Sequence, residues 1–446
     1  MDIIKGEKFM HKIIISLASL LTVSLFSSEA SALPSFARQT GMACNICHQQ
    51  HFPILNKFGR LFKASGYTLM GSQSKVEGDY LSIPDTLNGS ILVKLKYQKN
   101  NTPAADNVAT GTANSLGDGQ LQFGDEFSLF FSGRVAENIG FMFEGNTVAA
   151  GGSLMAGAKI PIMFDAGDTR LSVIPFTTDA LSVQYGYELS SGGVIRANRW
   201  AEHRRETSAI QYNADQNNVV SSTANTGAAT GFALVAQNEF GYINFTKWSP
   251  NHAMGGNGSS VNSYDMSSRY FRAAATPSVA GWDYVVGFGA MSGESLVTDG
   301  LAINPAVATL WETRQTFVDF QAQGVVNERD LAVYAQYAKA PIVSNTAAVG
   351  SIYGANVTDR KAFTLGADYS AIPNVLSIGA AYRLGKNGDV DNINGDNAIT
   401  ITAVYDMAMN VALHANYTKY SGSAHEVAGA QEDLNFLYTL MLQAAW

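Results

Sequence analysis

From residue 89 to residue 446 the chain follows a two-residue hydrophobic repeat. Apolar side chains occupy every second position in runs such as 91–97, 127–131, 282–288 and 399–405. A period of two is the repeat of a β-strand, because successive side chains point to opposite faces. Since the repeat continues to the end of the chain, we expect one large all-β structure.

The connections between these runs alternate between short and long. Short turns are expected near 136–138, 371–373 and 407–409. Longer polar segments are found near 100–120, 213–230, 249–263, 340–360, 385–397 and 421–433. This asymmetry is typical of outer-membrane β-barrels. At roughly 20 to 23 residues per strand plus connection, built on strands of ~9–11 residues, region 89–446 predicts about 16 strands, with 18 possible. The stretch 193–248 could hold one long strand or two.

Composition favours a membrane barrel over the alternative, a soluble β-sandwich. Charged residues make up 15 % of the chain, against ~25 % in soluble domains. After residue 32, no apolar run approaches the ~20 residues of a spanning helix. One face of the final run carries Phe436, Tyr438, Leu440, Leu442 and Trp446. A last strand ending on an aromatic residue resembles the assembly signal of bacterial outer-membrane proteins. We therefore predict an all-β transmembrane barrel in outer-membrane lipid.

The N-terminus, residues 1–32, has the pattern of a secretory signal peptide. A basic start at His11-Lys12 precedes an apolar run from Ile13 to Phe26, and Ala30-Ser31-Ala32 is a small-residue cleavage site. The alternative is a membrane anchor, but the run is short for a span and a cleavage site follows it. We expect export from the cytoplasm.

Residues 33–72 differ from the barrel region because their apolar residues have a helical period. One helical face would carry Ile54, Leu55, Phe58, Leu61 and Phe62. Pro53 suits the first turn of this helix and Gly66 suits its end. A polar linker at 73–88, which contains Pro84, leads to the barrel. We therefore predict a short α-helical segment before the barrel.

This segment contains the motif Cys44-Asn45-Ile46-Cys47-His48, the C-x-x-C-H attachment pattern of haem c. Two thiols on one helical turn can bond both vinyl groups of a haem, and the next imidazole is then placed as the proximal iron ligand. A C-x-x-C pair alone could also be a redox or zinc site. The adjacent histidine, the lack of other cysteines and the signal peptide favour one covalent haem c on Cys44, Cys47 and His48.

The motif does not specify the sixth iron ligand. Met70 is the first choice, because it follows a helix that could fold back, and a Met ligand would raise the haem potential relative to bis-His. Met42, a barrel side chain or water are alternatives, and Met70 could simply be an apolar residue. His51 would lie on the proximal side together with His48.

The segment is too small to enclose a haem unaided, because so short a chain buries too little surface. A barrel of 16 or more strands has a lumen that can take a plug. We therefore expect residues 33–72 to lie in or against the periplasmic mouth of the barrel.

Two clusters of charged residues offer other sites. A basic cluster could form a lumen constriction or contact haem propionates, but its mixed spacing favours a solvated turn with strand ends. Its members are Arg196, Arg199, His203, Arg204 and Arg205. Asp389, Asp391 and Asp396 could bind a cation, although their spacing departs from the EF-hand pattern and favours an ordinary outer loop. The net charge of −8 argues against nucleic acid as a partner.

The motif region resembles a known family over residues 33–69. The matching stretches are LPSFARQTGMACNICHQQHFP at 33–53, LNKFGR at 55–60 and GYTL at 66–69. They resemble the fused outer-membrane cytochrome–porins of iron-oxidising bacteria. The barrel is similar to that family only in length and style.

The resemblance implies one N-terminal haem c, attached at Cys44 and Cys47 with His48 as proximal ligand, before a sixteen-stranded barrel. It also implies an oxidoreductase that passes electrons from extracellular Fe(II) to a periplasmic c-type cytochrome. Composition and periodicity do not identify iron. Two alternatives stay open: a diffusion porin whose haem segment is a plug or sensor, and a conduit for another extracellular donor.

Overall fold

A computed structural model describes residues 34–50, 52–101, 117, 119–146, 155–179, 181–190, 208–213, 227–252, 265–297, 309–342, 349–353, 357–426 and 435–446. The described residues form a closed antiparallel β-barrel of 16 strands with short helices at one end. The predicted signal peptide, residues 1–32, and His51 lie outside the described residues.

The barrel strands are β1 (Gly89–Asn100), β2 (Gln120–Ala136), β3 (Ile139–Asn146), β4 (Met155–Lys159, continuing as Ile162–Ala166), β5 (Thr169–Thr178), β6 (Ala229–Asn238), β7 (Gly241–Ser249), β8 (Ser268–Ala275, continuing as Ser278–Val279), β9 (Trp282–Ser292), β10 (Gln315–Val326), β11 (Arg329–Ala340), β12 (Arg360–Ile372), β13 (Leu376–Lys386), β14 (Asn397–Ala408), β15 (Val411–Ser421) and β16 (Phe436–Ala445). Strands β4 and β8 are interrupted at Pro161 and Pro277, because proline has no N–H for the ladder. The two parts of β4 both pair with β5, and the two parts of β8 both pair with β9, so β4 and β8 are each counted as one strand. The strand number is therefore 16 and not 18.

The barrel closes where the last strand meets the first. Strand β16 pairs with β1 in a register that runs from Leu437 opposite Asn100 to Ala445 opposite Leu92. Trp446 then exchanges two backbone hydrogen bonds with Ile91, at 2.8 and 3.0 Å. The terminal run is thus the closing strand, and closure leaves neither of these strands as an exposed edge.

The barrel wall is apolar outside and polar inside. On β7, Ile243 and Phe245 are 54 % and 42 % exposed, whereas Asn244 and Thr246 between and beside them are fully buried. A wall facing water would have the opposite arrangement. A closed barrel with an apolar outer surface is the form that suits lipid, where backbone polar groups must be bonded within the protein. The protein is therefore a β-barrel of the bacterial outer membrane, and the soluble sandwich is excluded.

The two ends of the barrel differ as predicted. Short turns at 137–138, 373–375 and 409–410 lie at one end, and the long connections lie at the other. Short turns face the periplasm in such barrels, so we call this end the periplasmic mouth. In the stretch 193–248, the described residues contain β6, β7 and a helix, Ala209–Asn213.

The segment before the barrel, residues 34–50 and 52–70, is called the plug below. It contains helices α1 (Pro34–Thr40), α2 (Cys44–Cys47) and α3 (Lys57–Ala64). The helix Ala209–Asn213, which lies outside the plug, is called α4. The prediction that a helix starts at Pro53 is wrong. Helix α3 starts at Lys57, because the Asn56 side chain accepts the Gly59 N–H and caps the helix there. The predicted end is confirmed: Gly66 adopts a φ of 61°, which favours glycine.

The plug lies inside the periplasmic mouth and contacts the wall on many sides. Its polar contacts join Ser35 Oγ to Ser132 Oγ on β2 (2.8 Å), Gln50 Nε2 to the carbonyls of Asp330 on β11 (2.9 Å) and Asp368 on β12 (3.1 Å), Arg60 Nη1 to Gln323 Oε1 on β10 (2.5 Å), and Gln237 Nε2 on β6 to the Ala64 carbonyl (3.3 Å). Because these strands are spread around the barrel, the plug crosses the lumen at this end.

Two smaller features complete the fold. The predicted linker contains a hairpin of Lys75–Gly78 with Leu81–Pro84. The connections at the outer end contain a three-stranded sheet of Glu294–Val297, Thr309–Glu312 and Val349–Ser351. No helix among the described residues is both long and apolar enough to cross a membrane.

Candidate functional site

The C-x-x-C-H motif forms a single helical turn, α2, in the plug. The His48 N–H donates back to the Cys44 carbonyl at 2.9 Å, which closes the turn. The two cysteines are not joined in a disulfide. Cys44 is buried and Cys47 is half-buried; burial raises the pKa of Cys44 to about 12 and also raises the pKa of Cys47. Both side chains are therefore neutral thiols near neutral pH.

His48 is held by the chain that returns from the motif. Its Nδ1 lies 3.2 Å from the Ile54 carbonyl oxygen, and its ring contacts Phe52 with centroids 5.4 Å apart. A carbonyl only accepts hydrogen bonds, so this contact places a proton on Nδ1, and in the neutral ring the lone pair is then on Nε2. A backbone carbonyl on one ring nitrogen is the common outer partner of an imidazole that binds metal through the other. The imidazole orientation is thus set by the plug itself.

Asn56, which the sequence analysis did not single out, joins the motif to α3. Its Oδ1 accepts the Gly59 N–H at 3.0 Å, and its Nδ2 donates to the Ile46 carbonyl at 3.0 Å. Its backbone N–H donates to the Cys47 carbonyl, also at 3.0 Å. One residue therefore fixes the motif against the helix that contacts the wall. The signal in the sequence was an asparagine at a helix-capping position.

Two glycines allow the plug backbone to approach its neighbours closely. A Cβ atom at Gly59 would lie 2.1 Å from the Cys47 carbonyl oxygen. A Cβ atom at Gly140 on β3 would lie 1.7 Å from the Gly66 carbonyl oxygen. No side chain fits at such distances, so glycine is required at both points. The motif helix, α3 and the wall are consequently in direct backbone contact.

A cleft separates the motif from one side of the barrel wall. Its empty volume is about 580 Å³ when the part open to solvent is included. The plug side is lined by Cys44, Asn45, His48, Gln50 and Phe52. The wall side is lined by Leu92 on β1, Asp406, Met409, Asn410, Val411 and Ala412 around the β14–β15 turn, and Gln443 and Ala445 on β16. Cys47 is not among the lining residues.

The structure does not bring Met70 to this cleft. Met70 lines a second cleft at the periplasmic mouth, together with Thr68, Arg134, Asn138 and Asp165 among others. The two clefts share no lining residue. Met42, the other methionine considered, is half-buried and lines neither of them.

The aspartates of the outer loop do not converge on one site. Asp396 pairs with Arg383 Nη2 at 2.6 Å and with His425 Nε2 at 3.0 Å, whereas Asp391 accepts from Asn394 at 3.0 Å. Within the described ranges, no group of three or more His, Cys, Asp or Glu residues could hold a metal ion. The basic cluster around Arg199 lies outside the described residues.

A buried charge network lies deeper in the barrel. Arg272 on β8 is fully buried between Glu188, at 3.0 Å, and Asp319 on β10, whose Oδ2 lies 3.0 Å from Nη2. Helix α4 packs against β11 and β12. Glu188 and α4 both belong to the β5–β6 connection, and these described parts of it lie in the lumen and narrow it. The three charged residues are far apart in the sequence, so no local pattern predicts this network.

No protein-family model and no curated protein matches the chain. The outer-membrane expressed OmpT of Vibrio cholerae superposes with a TM-score of 0.48 at 8 % sequence identity, and the match covers 84 % of this chain and 100 % of OmpT. The outer membrane channel DcaP of Acinetobacter baumannii superposes with a TM-score of 0.45 at 11 % sequence identity, and the match covers 81 % of this chain and 97 % of DcaP. A triple mutant of the Rhodopseudomonas blastica porin gives 0.45 at 11 % identity, covering 81 % and 100 %. The barrel assignment rests on the strand pairing described above and not on these likenesses.

Proposed function

We propose that the protein is an outer-membrane electron conduit with a single c-type haem. Electrons from an extracellular donor pass through the haem to a periplasmic c-type cytochrome, and the resemblance indicates Fe(II) as the donor. The observation that carries this proposal is the position of the motif. Its C-x-x-C-H turn lies inside the mouth of a transmembrane barrel, next to a cleft.

The residues present fit a haem c. Cys44 and Cys47 lie on one turn and would form the two thioether bonds, and His48 would supply the axial nitrogen. The bound haem would supply a one-electron couple. The chain itself orients the imidazole through the Ile54 carbonyl and shelters the cleft with the barrel wall.

A redox centre at this position has a physical advantage for iron. Fe(III) precipitates near neutral pH, so iron oxidised inside the cell would form a damaging solid. A conduit in the outer membrane leaves the metal outside and admits only electrons. The support for iron is the resemblance over residues 33–69, and the support for a conduit is the location of the motif.

A diffusion porin with a haem-bearing plug or sensor is the second candidate. The porin-like closed barrel favours it, because such barrels commonly enclose an aqueous channel. The plug across the mouth and the Arg272 network weigh against free diffusion. Planar-bilayer recordings separate the two: a porin conducts ions steadily, whereas a plugged conduit conducts little.

Anaerobic stopped-flow spectroscopy tests the main proposal directly. The purified oxidised protein is mixed with Fe(II) while the Soret and α bands are followed. The proposal predicts haem reduction at a rate that rises with the Fe(II) concentration. Reduction by another donor but not by Fe(II) would support an electron conduit and contradict Fe(II) as its donor. A protein with steady ion conductance and no reducible haem would be a porin.

A further inference from the structure

The cleft beside the motif has two differently equipped sides. The plug side carries the motif, and the wall side carries four side chains with possible ligand atoms. These are Asp406, Met409, Asn410 and Gln443. Only one of the four, Met409, offers sulfur.

We propose that Met409 is the second axial ligand of the haem iron that His48 binds. This inference rests on the proposed function, since it requires a haem on the motif. It replaces Met70, which lines the other cleft.

The two axial ligands of a haem iron approach from opposite faces of the ring. A haem tethered to α2 and bound by His48 on one face would turn its other face towards the wall side of the cleft. The second ligand is therefore expected among the wall residues that line this cleft.

The chemistry of the four candidates then favours Met409. A thioether with a histidine is an established ligand pair in c-type cytochromes. Carboxylate and amide oxygens are hard donors that suit magnesium, calcium or manganese better than haem iron. Methionine is also unbranched and flexible, so its sulfur can adjust to the iron position.

The backbone around Met409 supports this role. Met409 is half-buried in the short turn between β14 and β15. Asn410, the next residue, donates its Nδ2 to the Ala445 carbonyl at 2.8 Å, and the Ala445 N–H donates to the Asn410 carbonyl at 2.9 Å. The turn is thus fixed to β16, which lines the same cleft. A fixed turn holds a ligand in place with little loss of entropy on binding.

The barrel offers a matched control on the same wall. Met441 on β16 is fully buried and lies two residues before Gln443, so both point to the same face. Met441 does not line the cleft. Substitution of each methionine by leucine removes the sulfur and keeps the volume similar.

The test compares Met409→Leu, Met441→Leu and Met70→Leu in the full-length protein produced with haem c maturation. Near-infrared absorption of the ferric protein detects the charge-transfer band of a Met-ligated haem, and redox titration gives the midpoint potential. We expect Met409→Leu alone to lose the band, to lower the potential and to bind CO readily in the ferrous state. Met409→His should restore six-coordinate low-spin haem at a potential below that of the wild type.

Three outcomes would overturn the inference. The band could survive in Met409→Leu, it could vanish in Met441→Leu or Met70→Leu instead, or the wild type could lack it. Haem staining on denaturing gels separates this failure from failure of the proposed function. If the wild type stains for haem and the Met409→Leu spectrum is unchanged, only the assignment of Met409 as ligand fails. If the wild type does not stain, the proposed haem and the Met409 assignment both fail. Heat-modifiability on gels confirms that each variant barrel is folded.

Discussion

The barrel wall and the plug are stabilised in different ways. The wall is a closed ladder in which each strand is hydrogen-bonded to two neighbours. The plug has three short helices, the longest of eight residues, and isolated helices below ~12–15 residues are marginal in water. Its contacts with the wall include side-chain hydrogen bonds, such as those of Gln50 and Arg60. We therefore expect the wall to fold without the plug, and the plug to depend on the wall.

The chemistry lies in the dependent region. The motif turn is held by Asn56 and α3, and α3 is held by the wall through Arg60 and Ala64. Changes in the plug should therefore alter the candidate haem site while the barrel keeps its heat-modifiability. Variants of the plug and of its contacts test this separation.

The largest effect is expected from Cys44→Ala combined with Cys47→Ala. Without either thiol no thioether can form, so covalent haem should be lost completely. Peroxidase-active staining after denaturing electrophoresis and organic extraction measures this loss. The barrel should still shift on gels when heated, because neither cysteine contributes to the wall. Staining that persists in the double variant would contradict the attachment sites.

The next largest effect is expected from Gly59→Ala. Its Cβ would meet the Cys47 carbonyl at 2.1 Å, and overpacking of this kind typically costs ~1–3 kcal/mol. Hydrogen–deuterium exchange in the peptides that cover α2 and α3 should become faster, with the strands unchanged. Gly78→Ala is the matched control, since its nearest contact would be the Leu81 Cβ at 4.0 Å. Equal exchange in both variants would show that the two helices are not closely packed.

A smaller effect is expected from Asn56→Ala, which removes a helix cap worth about 1 kcal/mol. The same substitution removes the bond to the Ile46 carbonyl. Asn56→Asp separates the two roles, because a carboxylate can cap Gly59 but cannot donate to Ile46. We expect Asn56→Asp to keep α3 protected from exchange and to loosen α2. Identical hydrogen–deuterium exchange in the wild type and both variants would show that Asn56 does not stabilise α2 or α3.

The smallest effect is expected from Lys57→Gln. The Lys57 amine lies 3.6 Å from Asp283 Oδ1, and both side chains are partly exposed to solvent. Such an ion pair is screened, so plug exchange should change by less than about 0.5 kcal/mol. A larger change would mean that the plug is anchored by charge at its rim and not by the buried contacts of Gln50 and Arg60.

The same contrast explains what the sequence could predict. Alternation in runs such as 399–405 reflects the lipid-facing and lumen-facing sides of each strand, which is a local property of the sequence, so the strands, the turns near 137 and 409, and the last strand were predictable. The C-x-x-C-H motif is local too, and it identified Cys44, Cys47 and His48 as candidates. The cleft is different, because it joins the plug to turn 409–410, which lies far away in sequence. Sequence spacing therefore favoured Met70, whereas the fold places Met409 at the cleft.

If the motif in the barrel mouth carries electrons across the outer membrane, as we propose, a donor outside should reduce an acceptor inside. The most direct measurement uses proteoliposomes with the long loops outside, an acceptor c-type cytochrome enclosed, and Fe(II) added only outside. We expect the wild type to reduce the enclosed acceptor and His48→Ala, with its barrel intact, to leave it oxidised. An acceptor that stays oxidised with the wild type, or that His48→Ala reduces equally fast, would contradict the claim.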